Sequence, residues 1–300
     1  MKRRQFLSFF LLFLWAEHSV LAAIEVRDDV GRAVRVDEPV QRIVSLAPHA
    51  TELLFEVGVG ERIVGTVSFS NYPAAARRIP HVGGYDNLDI EAIVALKPDL
   101  IVAWHSGNRH QQIERLSSLG LTVFYTEVRR IGQIPSLLRR FAKLTDHWRE
   151  GDSAAQAFET KLVHLRETYS ATEKVRVFYQ VWNNPLMTIN DEHFISAVLR
   201  LCGGTNVFAK LNALAPTISL EAVLAANPEM IVTSGMGELH GEWLKQWRQW
   251  KQLRAVETKN LVLIPPDLLQ RPTSRLLEGT ELLCREIEKA RARLDQPLSR

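Results

Sequence analysis

Residues 88–102, LDIEAIVALKPDLIV, and residues 217–232, TISLEAVLAANPEMIV, match without a gap at an offset of 130 positions. Glu91 falls on Glu221, Ala92 on Ala222, Pro98 on Pro228, and Ile101-Val102 on Ile231-Val232. Each copy reads as a short helix closed off ahead of a proline and followed by a buried strand. One such unit cannot cover its own apolar surface. Two copies this far apart, each inside a longer alternation of strands and helices, call for two α/β lobes rather than a stack of many repeats.

The flanking sequence supplies those alternations. IEVRDDVGRAVRV (24–36) alternates apolar and polar residues and predicts a small hairpin. RIVSLA, RIVGTV, DLIVAW and LTVFYT predict strands, interleaved with helices over PHATELLFEVG, LDIEAIVALKP and NRHQQIERLSSLG. The order recurs after residue 173. VRVFYQV, EMIVTS and LVLIPP predict strands there; EHFISAVLRLCGG, SLEAVLAANP, HGEWLKQWRQW and SRLLEGTELLCREIEKARARL predict helices. RPTSR opens the last of these, with Thr273 or Ser274 as its expected cap. Short apolar strands alternating with helices predict mainly parallel sheets covered on both faces. Ala155, Phe158, Leu162 and Leu165 then mark a connecting helix, ~30 Å long, with no proline to bend it. The expected architecture is α/β: two Rossmann-like lobes, 24–147 and 173–300, joined by a single rigid helix over 148–172.

Residues 1–23 stand outside that scheme. They have a basic start, an apolar run from Phe6 to Ala16, and small residues at Ala22 and Ala23, the pattern of a cleaved export signal. The run is shorter than the ~20 residues a membrane span needs. RRQFL also fits twin-arginine export, so the route stays open between that and the general one. Without residues 1–23 the chain holds 34 basic and 33 acidic residues. A nearly neutral chain gives no reason to expect nucleic acid or an anionic membrane as partner. Cys202 and Cys284 are the only cysteines. In an oxidising compartment a lone pair ordinarily forms a disulfide, worth ~4 kcal/mol for so long a loop; two buried thiols are the alternative.

Two lobes leave a cleft, and parallel sheets bind ligands beyond the carboxyl ends of their strands. Phe69, Trp104, Trp182 and Asp267 follow such ends, and Tyr85 lies in the loop after the second strand. Four aromatics on one edge form stacking walls for a large flat ligand, though each singly also fits rim packing. Arg271 adds a donor fork on the same side. Trp243, Trp247 and Trp250 have the spacing of one helix face and are expected in the core. Glu91 and Glu221 follow the expected caps Asp89 and Ser219. An acid in a helix's first turn gains ~0.3–1 kcal/mol from the helix dipole, which is one reading. The other is a matched pair of carboxylates gripped by arginines of a two-fold partner. No catalytic or metal set stands out. The histidines are scattered, and His105 and His110 are five apart, off a common helix face.

RIVSLAPHATELLFEVG, VSFSNYP, NLDIEAIVALKPDLIVAWHSGN, LSSLG, RVFYQ, LCGGTNVF, SLEAVLAANPEMIV and LLQRPTSR span about residues 42–284. On these segments the chain resembles the periplasmic substrate-binding proteins of cobalamin, haem and siderophore importers, and most of all the cobalamin (vitamin B12)-binding family. The resemblance implies the two-lobe class III fold and a periplasmic monomer that is no enzyme. Cobalamin would be its transported ligand rather than a cofactor. Its partner would be an ABC importer, a permease dimer with its ATPase. Implied ligand contacts are Phe69, Tyr85, Trp104 and the loop Asp267, Leu268, Leu269, Gln270 and Arg271. Implied docking contacts are Glu91 and Glu221, and the implied disulfide is Cys202–Cys284. Ala215-Pro216 replaces a cleft tryptophan of that family, and Trp182 is placed to compensate. A haem or ferric-siderophore binder of the same fold is the alternative, and an exported enzyme using cleft carboxylates a more distant one.

Overall fold

The structure is a computed structural model that describes residues 23–169, 173–235 and 241–296. All but the last residue of the expected export signal lies outside these, as do residues 170–172 at the end of the expected connecting helix. β1 (Ile24–Arg27) and β2 (Ala33–Val36) form the antiparallel hairpin, with Gly31 at φ +85° in its turn. The N-terminal half continues with β3 (Ile43–Ser45), α1 (Pro48–Glu56), β4 (Ile63–Thr66) and the two-residue strands β5 (Gly83–Gly84) and β6 (Asn87–Leu88). Then come α2 (Ile90–Ala95), β7 (Leu100–Trp104), α3 (His110–Ser118), β8 (Val123–Thr126) and α4 (Gln133–Thr145). A 22-residue helix, α5 (Trp148–Tyr169), follows. The C-terminal half runs β9 (Val175–Gln180), α6 (Phe194–Leu201), β10 (Gly204–Asn206), α7 (Leu220–Ala226) and β11 (Met230–Thr233). It ends with α8 (Glu242–Trp247), α9 (Arg254–Glu257), β12 (Leu261–Leu263), α10 (Pro266–Leu269) and α11 (Leu276–Leu294).

The duplication reaches the topology. One sheet has the order β4-β3-β7-β8 and the other β10-β9-β11-β12, all strands parallel. In both, the first strand lies between the second and the third. It also reaches single hydrogen bonds. Arg42, just before β3, donates its guanidinium to the carbonyls of Leu96 and Lys97 at the end of α2, while Asp99 accepts the Arg42 amide at 2.8 Å. In the other half Arg176 donates to Ala226 and Asn227 at the end of α7, and Glu229 accepts the Arg176 amide at 2.8 Å. Lys97 and Asn227 both turn the chain with positive φ, 47° and 41°. An arginine thus closes the helix end in each copy, satisfying carbonyls that a helix leaves without partners.

Besides the short unpredicted elements β5, β6, β10, α9 and α10, three features depart from the expectations. First, α4 has no counterpart among the predicted elements. Its Ile134, Leu137, Leu138 and Phe141 share one face and are fully buried. It packs along α5, so the connecting helix is half of a helix pair and not a bare rod. Gly151 permits the contact: a Cβ there would lie 2.2 Å from the Cβ of Ala142. Second, α8 ends at Trp247, and Trp250 sits in the following turn. Trp243 and Trp247 are buried as expected. Third, neither Thr273 nor Ser274 caps α11, whose N-cap is Arg275 with no side-chain cap; both hydroxyls are spent on the other half of the molecule. The disulfide Cys202–Cys284 joins the end of α6 to α11 across 82 residues of sequence. Among the described residues no helix is long and apolar enough to cross a membrane.

Candidate ligand-binding cleft

The carboxyl ends of β3, β7 and β9 open onto a cleft of about 690 Å³ between the two halves. These are central strands that flank the points where strand order reverses, the places where parallel sheets bind ligands. His49 follows β3, Trp104 ends β7, and Trp182 follows β9; all three line the cleft. Phe69, Tyr85, Asp267, Gln270 and Arg271 line it as well. Leu268 and Leu269 do not. Residues 266–269 form a single helical turn, so only one side of it reaches the cleft. Leu269 points into the core, and the Leu268 carbonyl abuts Gly279, where a Cβ would come within 2.3 Å.

The aromatic walls are braced from behind. Asn108, which the sequence did not single out, accepts the Trp104 amide at 2.6 Å and donates to the carbonyls of Tyr85 at 2.6 Å and Leu46 at 3.0 Å. One buried side chain therefore fixes two cleft aromatics against the end of β3. The Trp104 ring lies over Gly107, where any Cβ would sit 2.0 Å from the ring, so the position demands glycine. Tyr85 packs on Trp104 at 5.9 Å, and the edge of His49 meets it at 5.6 Å. Phe69 is 55% exposed and has φ 68°, a strained setting for a bulky residue and the kind that clusters at binding sites. Across the cleft, Trp182 rests edge-on against Trp243 at 5.8 Å.

The polar groups are paired with opposite charges. Arg271 is not the free fork expected of it. Its guanidinium donates to Asn71 Oδ1 at 2.9 Å and the Phe69 carbonyl at 3.0 Å, and meets Asp267 at 2.8 Å and Glu52 at 3.6 Å. It ties the two halves together. Arg129 pairs with Glu127 at 2.6 Å. Gln270 Nε2 is buried with no hydrogen-bond partner among the described residues. Two histidines that the sequence left among the scattered ones also face the cleft. The Thr126 hydroxyl donates to the Ala103 carbonyl, so His49 Nε2, 2.9 Å away, carries the proton between them. His193 Nδ1 accepts the Ile195 amide at 3.2 Å and caps α6. A third correction concerns His105 and His110, whose rings meet at 4.8 Å. Helix-face spacing did not apply, because His105 lies in the loop after β7. No cluster of three or more metal-ligating side chains occurs among the described residues.

Glu91 and Glu221 lie outside the cleft, exposed in the first turns of α2 and α7. A helix between parallel strands runs opposite to them, so its first turn sits at the carboxyl edge of the sheet, the edge on which the cleft opens. Asp89 and Ser219 cap the two helices through the amides of Ala92 and Ala222, at 2.9 and 3.2 Å. The Glu221 carboxyl is held below its ordinary range by its own backbone amide and by Ser219.

Comparison with known proteins places the chain. The periplasmic binding protein family matches residues 43–268. The chain belongs to this family. A vitamin B12-binding protein of Vibrio parahaemolyticus serotype O3:K6 is 34% identical to this binding protein over 256 residues, 85% of this chain and 92% of that one. One of Vibrio cholerae serotype O1 is 35% identical over 247 residues, 82% and 88% of the two chains. The crystal structure of the periplasmic vitamin B12 binding protein BtuF of Vibrio cholerae superposes with a TM-score of 0.79 at 34% identity, covering 84% of this chain and 98% of that one. The periplasmic heme-binding protein RhuT from Roseiflexus sp. RS-1 superposes at 0.74 with 20% identity, over 83% and 98%, and shares the fold alone.

The two cleft histidines give this binding protein a predictable acid response. Burial, aided by Arg271, lowers the His49 pKa from 6.5 to about 3. Burial, aided by Arg129, lowers that of His193 likewise to about 3. The unfolded chain therefore binds more protons than the folded one between those values. Stability is complete above about pH 6.5 and is lost progressively as the pH falls toward 3. For His49, 4% exposed, the interval corresponds to on the order of 5 kcal/mol. Urea unfolding from pH 7 to pH 4 is expected to show the decline, and His49→Gln is expected to flatten it. An unchanged slope in that variant would remove His49 as the cause.

Proposed function

We propose that this protein captures cobalamin (vitamin B12) in the cleft and delivers it, without chemical change, to an ABC importer. In this reading residues 1–23 direct export to the periplasm. Residues 24–147 and 173–300 act as the two lobes, with 148–172 as the joint between them. The mature monomer docks on a permease dimer driven by its ATPase, through Glu91 on one lobe and Glu221 on the other. The vitamin B12-binding proteins at 34–35% identity support the choice of ligand.

The observation that carries it is a roomy cleft with aromatic walls and balanced charge. Phe69, Tyr85, Trp104 and Trp182 offer faces and edges to a broad ring. Both cleft arginines already hold a carboxylate, Arg129 that of Glu127 and Arg271 that of Asp267. Both cleft histidines are uncharged at neutral pH. Haem brings two propionates and many ferric siderophores are anionic; such ligands call for cations without partners. A corrin ring with carboxamide arms does not. Calorimetric titration with cyanocobalamin, haemin and a ferric siderophore side by side tests this. Micromolar or tighter binding of cyanocobalamin alone is expected. No binding of it, or a haemin Soret band that shifts on Tyr85→Phe, would overturn the reading.

A further inference from the structure

The N-terminal hairpin reaches under the cleft. Asp29, just after β1, donates its amide to the Tyr125 carbonyl at 3.0 Å. One oxygen of its buried carboxylate accepts the Glu127 amide at 2.7 Å. The other pairs with Arg140 on α4 at 2.5 Å. At the start of α4, Gln133 Oε1 accepts the amides of Arg129 and Arg130, each at 2.8 Å. The segment 127–130 is therefore pinned at both ends. Between the pins, the Glu127 carboxylate accepts the Ser106 amide at 3.0 Å on one oxygen and forms an ion pair with Arg129 Nε, 2.6 Å from the other. The terminal nitrogens of Arg129 make no protein hydrogen bond among the described residues, and its side chain is 37% exposed. His193, from the second half, lines the same cleft, and Arg129 is near enough to disfavour its charged form. Its Nδ1 is occupied by the Ile195 amide, so the neutral ring carries its proton on Nε2 and is a donor.

We propose that Glu127, Arg129 and His193 form a polar subsite that binds a carboxamide of the ligand and rejects a carboxylate at the same place. A primary amide has a carbonyl that accepts and an NH2 that donates. Arg129 and His193 supply donors for the first, and the Glu127 carboxylate accepts from the second. A carboxylate has nothing to give Glu127 and is repelled by it. The buried, doubly anchored carboxylate cannot swing away, which turns a pairing preference into discrimination. This rests on the corrinoid reading, since the corrin periphery is built of carboxamides.

The test uses the exported, full-length mature protein, cyanocobalamin, and the separated isomers of its monocarboxylic acid derivative, in which one peripheral carboxamide is hydrolysed. Arg129→Ala is expected to weaken cyanocobalamin binding about tenfold, the loss of one good hydrogen-bond donor to a desolvated acceptor. Of the acid isomers, one is expected to bind the unsubstituted protein about tenfold more weakly than the amide, and to recover on Glu127→Gln. Glu127→Gln keeps an oxygen for the Ser106 amide, so the loop survives the change. The subsite is overturned if Arg129→Ala binds cyanocobalamin at unsubstituted affinity, or if Glu127→Gln shifts no isomer. Absence of cyanocobalamin binding by the unsubstituted protein would instead strike the functional reading, and the subsite with it.

Discussion

Glu52→Ala is expected to lower the free energy of unfolding by about 3–5 kcal/mol, the usual cost of removing one partner from a buried ion pair. Glu52 lies on α1 with its side chain 4% exposed. Its carboxylate accepts from Arg275 through both oxygens, at 2.8 and 2.7 Å, and from Thr273 at 2.6 Å. Beside it, Ser274 donates to Glu56 at 2.6 Å, and burial pushes the Glu56 carboxyl above its ordinary range. Arg275 also stacks over Tyr72 at 3.7 Å. All of these contacts join residues 52–72 of the first half to residues 273–275 of the second. Alanine at position 52 leaves a guanidinium and a hydroxyl enclosed without partners. Urea unfolding measures the loss, and a double-mutant cycle with Arg275→Ala isolates the pair itself. A change below about 1 kcal/mol, the range of exposed pairs, would show that water reaches the cluster freely.

Reversing the charge at both Glu91 and Glu221 to lysine is expected to leave ligand affinity within about twofold and to abolish uptake. The two carboxylates are exposed, lie outside the cleft, and occupy corresponding places in two halves of identical sheet order. Neither is needed as a cap, since Asp89 and Ser219 already serve. A lysine in a first turn costs about 0.3–1 kcal/mol against the helix dipole, too little to unfold the protein. In the proposed docking, each glutamate meets arginines of a two-fold partner, so two lysines would turn attraction into repulsion at both ends of that interface. Growth on cobalamin at limiting concentration reads uptake, and calorimetry reads affinity. Normal uptake by the double variant would reduce both glutamates to helix-end residues.

Local pattern carried the reading of this chain a long way. The paired helix–strand units became two sheets of the same order, and Trp104, Tyr85, Phe69 and Trp182 met in one cleft because strand ends can be read from apolar runs. What escaped depended on contacts between distant residues. Arg271 meets the Phe69 carbonyl from 202 residues away. Thr273 looked like a helix cap because nothing nearby in sequence announces Glu52. Leu269 looked like cleft lining because a single turn of helix leaves no periodicity to show which way it faces. The helix over 133–145 is legible in its spacing of Ile134, Leu137, Leu138 and Phe141, but no helix is expected there between the strand LTVFYT and the connecting helix. Asn108 and His49 lie inside segments that carry the family resemblance, but nothing there sets them apart from their neighbours; their roles come from the hydrogen bonds they complete.

The cluster around Glu52 gives the molecule a second attachment between its halves, apart from the one the chain makes through α5. A body fastened at two separate places cannot swing about either. Opening the cleft wide therefore means first dissolving a set of buried charge-assisted bonds, a step that thermal motion reaches rarely. The proposed binding cleft then has its shape before its ligand arrives, and releasing a ligand by opening it wide would cost the breaking of those bonds.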